Sequence, residues 1–144
     1  MDVSILILNA GVLTFGGFSS LAPSTLASQL GTNLYQVAAL TKLFLPQLLA
    51  RKPRRAALIV NSSASAMKWF PNALLYSSTK AFVTSFTKGL ALELQGSNVD
   101  LQCLEPFAVA TNITDHWGIK TVGTTCDKVI KSSLDNLGKN PLDI

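Results

Sequence analysis

Ala56-Ala57-Leu58-Ile59-Val60-Asn61 is an uninterrupted apolar run with β-branched residues, closed by the small-residue loop Ser62-Ser63-Ala64-Ser65-Ala66. Such a run, short and bounded by a polar stop, reads as a strand buried on both faces. Upstream, residues 3–8 (Val-Ser-Ile-Leu-Ile-Leu) read the same way, as a central parallel strand ended by Asn9-Ala10-Gly11. Downstream, Val99–Leu104 is a third strand, ended by Glu105-Pro106. Between the first two, apolar residues recur at helical spacing over residues 24–50 (Leu26, Leu30, Leu34, Val37, Leu40, Phe44, Leu48), behind Pro23 at a helix start and with Pro46 as a candidate kink. Residues 72–94 form a second long helix, with Phe82, Phe86 and Leu90 on its apolar stripe and Gly96 as its stop signal. Residues 111–125 read as irregular and 126–137 as a shorter helix.

Strand, helix, strand, helix, strand is the alternation that builds right-handed crossovers, hence a doubly wound parallel α/β sheet with helices on both faces. At 144 residues the chain suffices for one domain, 1–144, and not for two. With 48% apolar and only 14% charged residues, apolar surface is expected to remain uncovered. No run approaches the roughly 18 apolar residues of a spanning helix. Two distant cysteines, Cys103 and Cys126, make no disulfide framework, and with a single histidine, His116, no metal site is expected. The net charge of +4 gathers partly in Arg51-Lys52-Pro53-Arg54-Arg55. Without interleaved aromatics this reads as a solvated helix end rather than a nucleic-acid surface.

In such sheets ligands bind beyond the carboxyl ends of the strands. Asn9-Ala10-Gly11, Ser62-Ser63 and residues 106–111 follow the three strands and so converge on one crevice. The second helix brings Tyr76 and Lys80 there, four residues apart and one turn along the same face. A neighbouring ammonium favours phenolate, so Lys80 is expected to lower the pKa of Tyr76 and make it a usable general acid and base. Ser63 can donate to a carbonyl oxygen as charge grows on it. Asn33, midway along the first helix, offers an amide to hold a water against Lys80.

Taken together these residues resemble the short-chain dehydrogenase/reductase superfamily. Asn9-Ala10-Gly11 is similar to its strand-end motif, Asn33 to its helix asparagine, Ser63 to its serine, and Tyr76-x-x-x-Lys80 to its signature. Pro106-Phe107-Ala108-Val109-Ala110-Thr111 is similar to its nicotinamide segment, with Phe107 where Gly is usual. Finer runs, among them Asn61-Ser62-Ser63-Ala64-Ser65 and Tyr76-Ser77-Ser78-Thr79-Lys80-Ala81-Phe82-Val83, resemble the branch of 17β-hydroxysteroid dehydrogenases and very-long-chain 3-oxoacyl-CoA reductases.

The resemblance implies a Rossmann-like fold and hydride transfer between NADP(H) and a ketone, with Ser63, Tyr76, Lys80 and Asn33 catalytic. It implies that Asn9, Ala10, Gly11, Tyr76, Lys80, Pro106, Val109 and Thr111 hold the cofactor. The implied partner is a lipid-like small molecule, a 3-oxoacyl-CoA or a 17-ketosteroid. The implied location is the endoplasmic reticulum membrane, with membrane association in the complete protein and the cytoplasm as the alternative.

A Gly-rich phosphate turn is not found, since Gly16-Gly17 follows the Asn-Ala-Gly strand and has the wrong spacing. The chain is therefore expected to carry the catalytic, C-terminal part of such a domain, without the βαβ units that cradle the adenosine half and choose between NAD(H) and NADP(H). Weak binding of NADPH by this chain alone is expected, as is a cover, a second copy among the candidates, for the faces left bare. The competing reading is a truncated, non-catalytic fragment or a pseudoenzyme in an interaction role. Trp69 and Trp117 are candidate walls of an apolar substrate pocket.

Overall fold

The computed structural model describes residues 2–116, 118 and 124–139. Strands β1 (Ile5–Leu8), β2 (Ala56–Asn61) and β3 (Val99–Leu104) pair in parallel in the order β1-β2-β3. Leu6 lies opposite Leu58, and Leu58 opposite Leu101. Side chains alternate between faces along a strand, so Leu8, Ala56, Leu58, Val60, Val99 and Leu101 share one face. There they pack with Val37 and Leu48 of helix α2 (Gln36–Leu49) and Val83 and Leu90 of helix α3 (Leu74–Glu93). Leu48, Leu58, Val60 and Val83 are fully enclosed, each stabilising the fold by about 1.5–3 kcal/mol. On the opposite face Gln102 of β3 donates to the carbonyl of Ser133 at 3.2 Å and accepts from its hydroxyl at 2.6 Å. This pair fastens helix α5 (Cys126–Asn136) to the second face, and the doubly wound parallel sheet is the architecture expected.

Four readings need correction. The strand at residues 3–8 is not central: among the described residues β1 is a sheet edge, and Ile5 and Ile7 are 47% and 59% exposed. Its apolar run is continuous, but only the Leu6 and Leu8 side is covered. The helix at 24–50 is interrupted, and not at Pro46, which α2 contains. Helix α1 (Pro23–Leu30) passes through a π-helical turn at Gly31–Tyr35 before α2. The widened turn carries Asn33, and such turns are frequent at functional sites. The 111–125 stretch holds a short helix, α4 (Asn112–His116). Finally, the basic cluster is not simply solvated, because Arg51, with a side chain only 11% exposed, pairs with Asp2, and Arg55 pairs with Asp100.

Candidate active site

The carboxyl ends of the strands are held in place by side chains that the helices send back. Asn33 accepts from the backbone N–H of Val12 and donates to its carbonyl, both at 2.8 Å, and donates again to Thr79 Oγ1 at 3.2 Å. One helical turn earlier, Gln29 accepts from Thr14 N–H at 3.1 Å. The chain leaving β1 is thereby pinned to α1 and α3. Asn61, at the end of β2, donates to Asn9 Oδ1 at 2.8 Å and joins the two strand ends. Helix α3 starts after Asn72, whose left-handed backbone (φ 63°) asparagine tolerates better than most residues. Its carbonyl accepts from Gly16 N–H at 2.8 Å, bringing the loop after β1 across the mouth of the site.

Ser63, Tyr76 and Lys80 meet at one point. The phenol of Tyr76 lies beside Ser63, close enough for that hydroxyl to pull its pKa down. The Lys80 ammonium lies 5.7 Å from the Tyr76 ring centroid and donates to the carbonyl of Asn61 at 2.8 Å. Ser63 caps the 3₁₀ turn Ala64–Ala66, accepting from Ser65 N–H at 3.1 Å, which fixes its hydroxyl beside the helix. Asn33 reaches the same neighbourhood, since a Cβ at Gly11 would lie 3.6 Å from both Asn33 Oδ1 and Lys80 Nζ. Both N–H positions of the Asn33 amide are already spent, so only its oxygen has hydrogen-bonding capacity left for a water.

The electrostatics differ from the sequence expectation. Burial, not Lys80, dominates Tyr76: its phenol is held above the ordinary value, with the Ser63 hydrogen bond pulling the other way. Burial also pulls Lys80 down to about 8, against a smaller opposing effect from Cys103. The ammonium spends its hydrogen bond on a backbone carbonyl and faces the ring rather than the hydroxyl, which is why it does not prevail over desolvation. Tyr76 is consequently a neutral phenol at physiological pH, the form that donates a proton, beside a lysine still largely protonated at pH 7.

Two cavities share this point. One, of about 620 Å³, is lined by Asn9, Ala10, Gly11, Asn61, Lys80, Pro106, Val109 and Thr111 together with Ser63 and Tyr76. It contains every position expected to hold the cofactor. The other, of about 200 Å³, is lined by Leu13, Phe15, Phe70, Phe107 and Ile113, again with Ser63 and Tyr76. Thr114 shapes the wall between them by donating to the Val109 carbonyl at 2.8 Å and accepting from Thr111 N–H at 2.9 Å. Trp69 does not line the apolar cavity: it is 89% exposed, and its neighbour Phe70 takes the place, 6.4 Å from the Phe107 ring. Trp117 lies outside the described residues. Phe15 and Phe70 were not foreseen, for they sit in loops without period. Among the described residues no cluster of metal-binding side chains occurs, and no helix is long and apolar enough to cross a membrane.

A parallel α/β sheet with a hydroxyl, a phenol and an ammonium gathered at its strand ends places these groups where open α/β sheets bind ligands. The family model for short chain dehydrogenase matches residues 1–121, and the chain belongs to that family. It is 32% identical over 138 residues to 17-beta-hydroxysteroid dehydrogenase type 3 of Homo sapiens, covering 94% of this chain and 44% of that protein. It is 33% identical over 118 residues to very-long-chain 3-oxoacyl-CoA reductase-A of Danio rerio, covering 79% and 36%. The chain thus spans less than half the length of these relatives. Among solved structures, a 3-ketoacyl-(acyl-carrier-protein) reductase from Brucella melitensis complexed with NADH superimposes with a TM-score of 0.85 at 22% identity, covering 98% of this chain and 62% of that one. That likeness concerns the fold.

Proposed function

We propose that this chain carries the catalytic half of a reductase that converts a ketone to a secondary alcohol at the expense of NADP(H), acting on a 3-oxoacyl thioester or a 17-ketosteroid. The observation that carries the reading is the convergence of Ser63, Tyr76 and Lys80 where a polar and an apolar cavity join. The residues present fit the nicotinamide half of the cofactor: Gly11 leaves the space over Lys80 Nζ open, and Asn9, Val109 and Thr111 line the same cavity. When bound, the reduced nicotinamide supplies the hydride that the carbonyl carbon accepts.

The chain's own residues do the rest. Ser63 donates a hydrogen bond to the substrate oxygen and steadies the negative charge that develops there. Tyr76 passes its phenolic proton to that oxygen, which completes the alcohol and leaves a phenolate. The Lys80 ammonium stabilises this phenolate until a solvent proton restores the phenol, and Asn33 Oδ1 is placed to order the water that brings it. The apolar walls supplied by Phe15, Phe70 and Phe107 receive a lipid-like group and keep bulk water from the reacting carbon. That relatives of the chain are named a 17-beta-hydroxysteroid dehydrogenase and a very-long-chain 3-oxoacyl-CoA reductase supports this choice of candidate substrates, and a location at the endoplasmic reticulum membrane accords with them.

The test is a spectrophotometric assay of NADPH oxidation with a 3-oxoacyl-CoA and with a 17-ketosteroid, using the protein in its longest natural form. Turnover of either is the expected result. Oxidation of NADPH with neither, in a folded protein that binds the nucleotide, overturns the reading in favour of a non-catalytic relative.

A further inference from the structure

Asn61, the last residue of β2, and the two residues after it face three successive turns of α3. Ser63 lies beside Tyr76 in the walls of both cavities and pulls its pKa down. The Asn61 carbonyl accepts from Lys80 Nζ at 2.8 Å. Ser62 donates to the backbone carbonyl of Lys80 at 3.0 Å and lies 2.8 Å from Thr84 Oγ1. Residues 76, 80 and 84 are four apart and so share one helix face. Thr84, one turn beyond Lys80, has no part in the mechanism above, yet it is buried and so is Ser62.

Hydroxyl counting shows what Thr84 does. It donates its hydrogen to Glu105 Oε1 at 2.5 Å, so its oxygen is left to accept from Ser62, whose single hydrogen serves both Thr84 and the Lys80 carbonyl. Glu105 in turn sits beside Pro106, whose carbonyl accepts from Ala64 N–H at 3.0 Å, while Ser62 N–H donates to Leu104 O at 2.7 Å. The end of β3, the Ser63 loop and the Lys80 turn are therefore joined through one buried chain of hydrogen bonds, which low local dielectric strengthens. We propose that Thr84, anchored by Glu105, is a positioning residue that sets the Ser63 loop against Tyr76 and Lys80 without touching substrate. Its turnover arm rests on the reductase reading; its structural arm does not.

The experiment compares Thr84→Val, which keeps the shape and removes the hydroxyl, with Thr84→Ser, which restores it. The first readout is an NMR titration of the Lys80 amine, with Tyr76 and Cys103, the ionisable groups that act on or face it, left unchanged. In Thr84→Val the loosened loop admits water, and the midpoint rises from about 8 towards 10.5, the ordinary lysine value, whereas Thr84→Ser stays at the wild-type value. The second is kinetic: Thr84→Val lowers kcat about tenfold with KM within about twofold, and Thr84→Ser recovers it. An unmoved Lys80 midpoint in folded Thr84→Val, or a serine variant as impaired as the valine one, overturns the proposal. If the wild type turns nothing over, the reductase reading fails and the titration still decides the clamp. Should Thr84→Val not fold, Glu105→Ala is expected to raise the midpoint and Glu105→Gln, which keeps the acceptor, is not. Equal midpoints in those two overturn the proposal as well.

Discussion

The two cavities that meet at Ser63 and Tyr76 are built in opposite ways. The larger is walled mainly by strand-end and small polar residues, with Phe107 and Ile113 on the side it shares with the other cavity, and long-range hydrogen bonds such as those of Asn33 to Val12 and Asn61 to Asn9 hold the strand ends around it. The smaller is walled by bulky apolar side chains from three separate loops, and Phe107 is 67% exposed. Polar contacts impose distance and angle, so the first cavity is a template with little freedom. Apolar contacts impose only volume, so the second can change its lining without disturbing the chemistry. The chemistry belongs to their common wall, and the choice of substrate to the apolar side.

The common wall should therefore be the most sensitive part of the molecule. Tyr76→Phe removes one oxygen and keeps the ring, and kcat should fall about 10³-fold, within the range for loss of a general acid, with nucleotide affinity unchanged. Turnover retained to within a few-fold would remove Tyr76 as proton donor. Ser63→Ala should cost somewhat less, about 10²-fold in kcat, because it withdraws one hydrogen bond to the developing oxyanion while the proton donor remains. An effect on KM alone would mean that Ser63 serves binding rather than the reacting state.

The polar side makes its own thermodynamic demand. Lys80 titrates near 8 in the folded chain and near 10.5 when free. Between those values the unfolded chain holds a proton that the folded chain has released, so stability increases with pH across this window. Below pH 8 both states are protonated and the contribution is flat. From pH 8 to 10 the gain should be about 2 kcal/mol, read as a rising urea midpoint. Cys103 opposes this gain from about pH 9 and Tyr76 above pH 10, because burial raises both and each stays protonated in the folded state while the unfolded one ionises, so the rise attributable to Lys80 is read as the difference from Lys80→Met. Lys80→Met should abolish the rise, and a rise that survived the substitution would place its origin elsewhere.

Much of this was legible in the chain, for reasons that follow from the same contrast. The strands at 56–61 and 99–104 read true because each is a short apolar run closed by a polar or proline-bearing stop, and the Tyr76–Lys80 pair read true because helical spacing is local. The same period extends to Thr84, four residues beyond Lys80 on that stripe. The bare edge of β1 was legible only indirectly, through the missing phosphate turn and the units that go with it, because a strand's own side chains do not record whether anything covers them. The π-helical turn at Asn33, whose side chain bonds to Val12 and Thr79 far away in sequence, was not visible. The depressed Lys80 and raised Tyr76 were misjudged for a related reason: spacing reports proximity, whereas burial, the larger influence here, is set by the whole fold. The apolar cavity lay beyond reach because Phe15, Phe70 and Phe107 come together only in three dimensions.

That cavity supplies the smallest and most selective prediction. Phe107 stands where its family usually has glycine, and its ring faces Phe70 at 6.4 Å across the opening beside Tyr76. If it serves as a wall for a lipid-like group, Phe107→Ala should raise KM about tenfold for a long-chain 3-oxoacyl substrate, as expected when about 1.4 kcal/mol of apolar contact is lost. It should leave kcat within about threefold, and a short-chain analogue that does not reach the ring should show almost no change. Because the residue is largely exposed, its replacement makes no buried void and stability should move by less than about 0.5 kcal/mol. An equal loss with short and long substrates would show that the ring supports the loop from Pro106 to Thr111, and through it the polar cavity, which would dissolve the division of labour between the two.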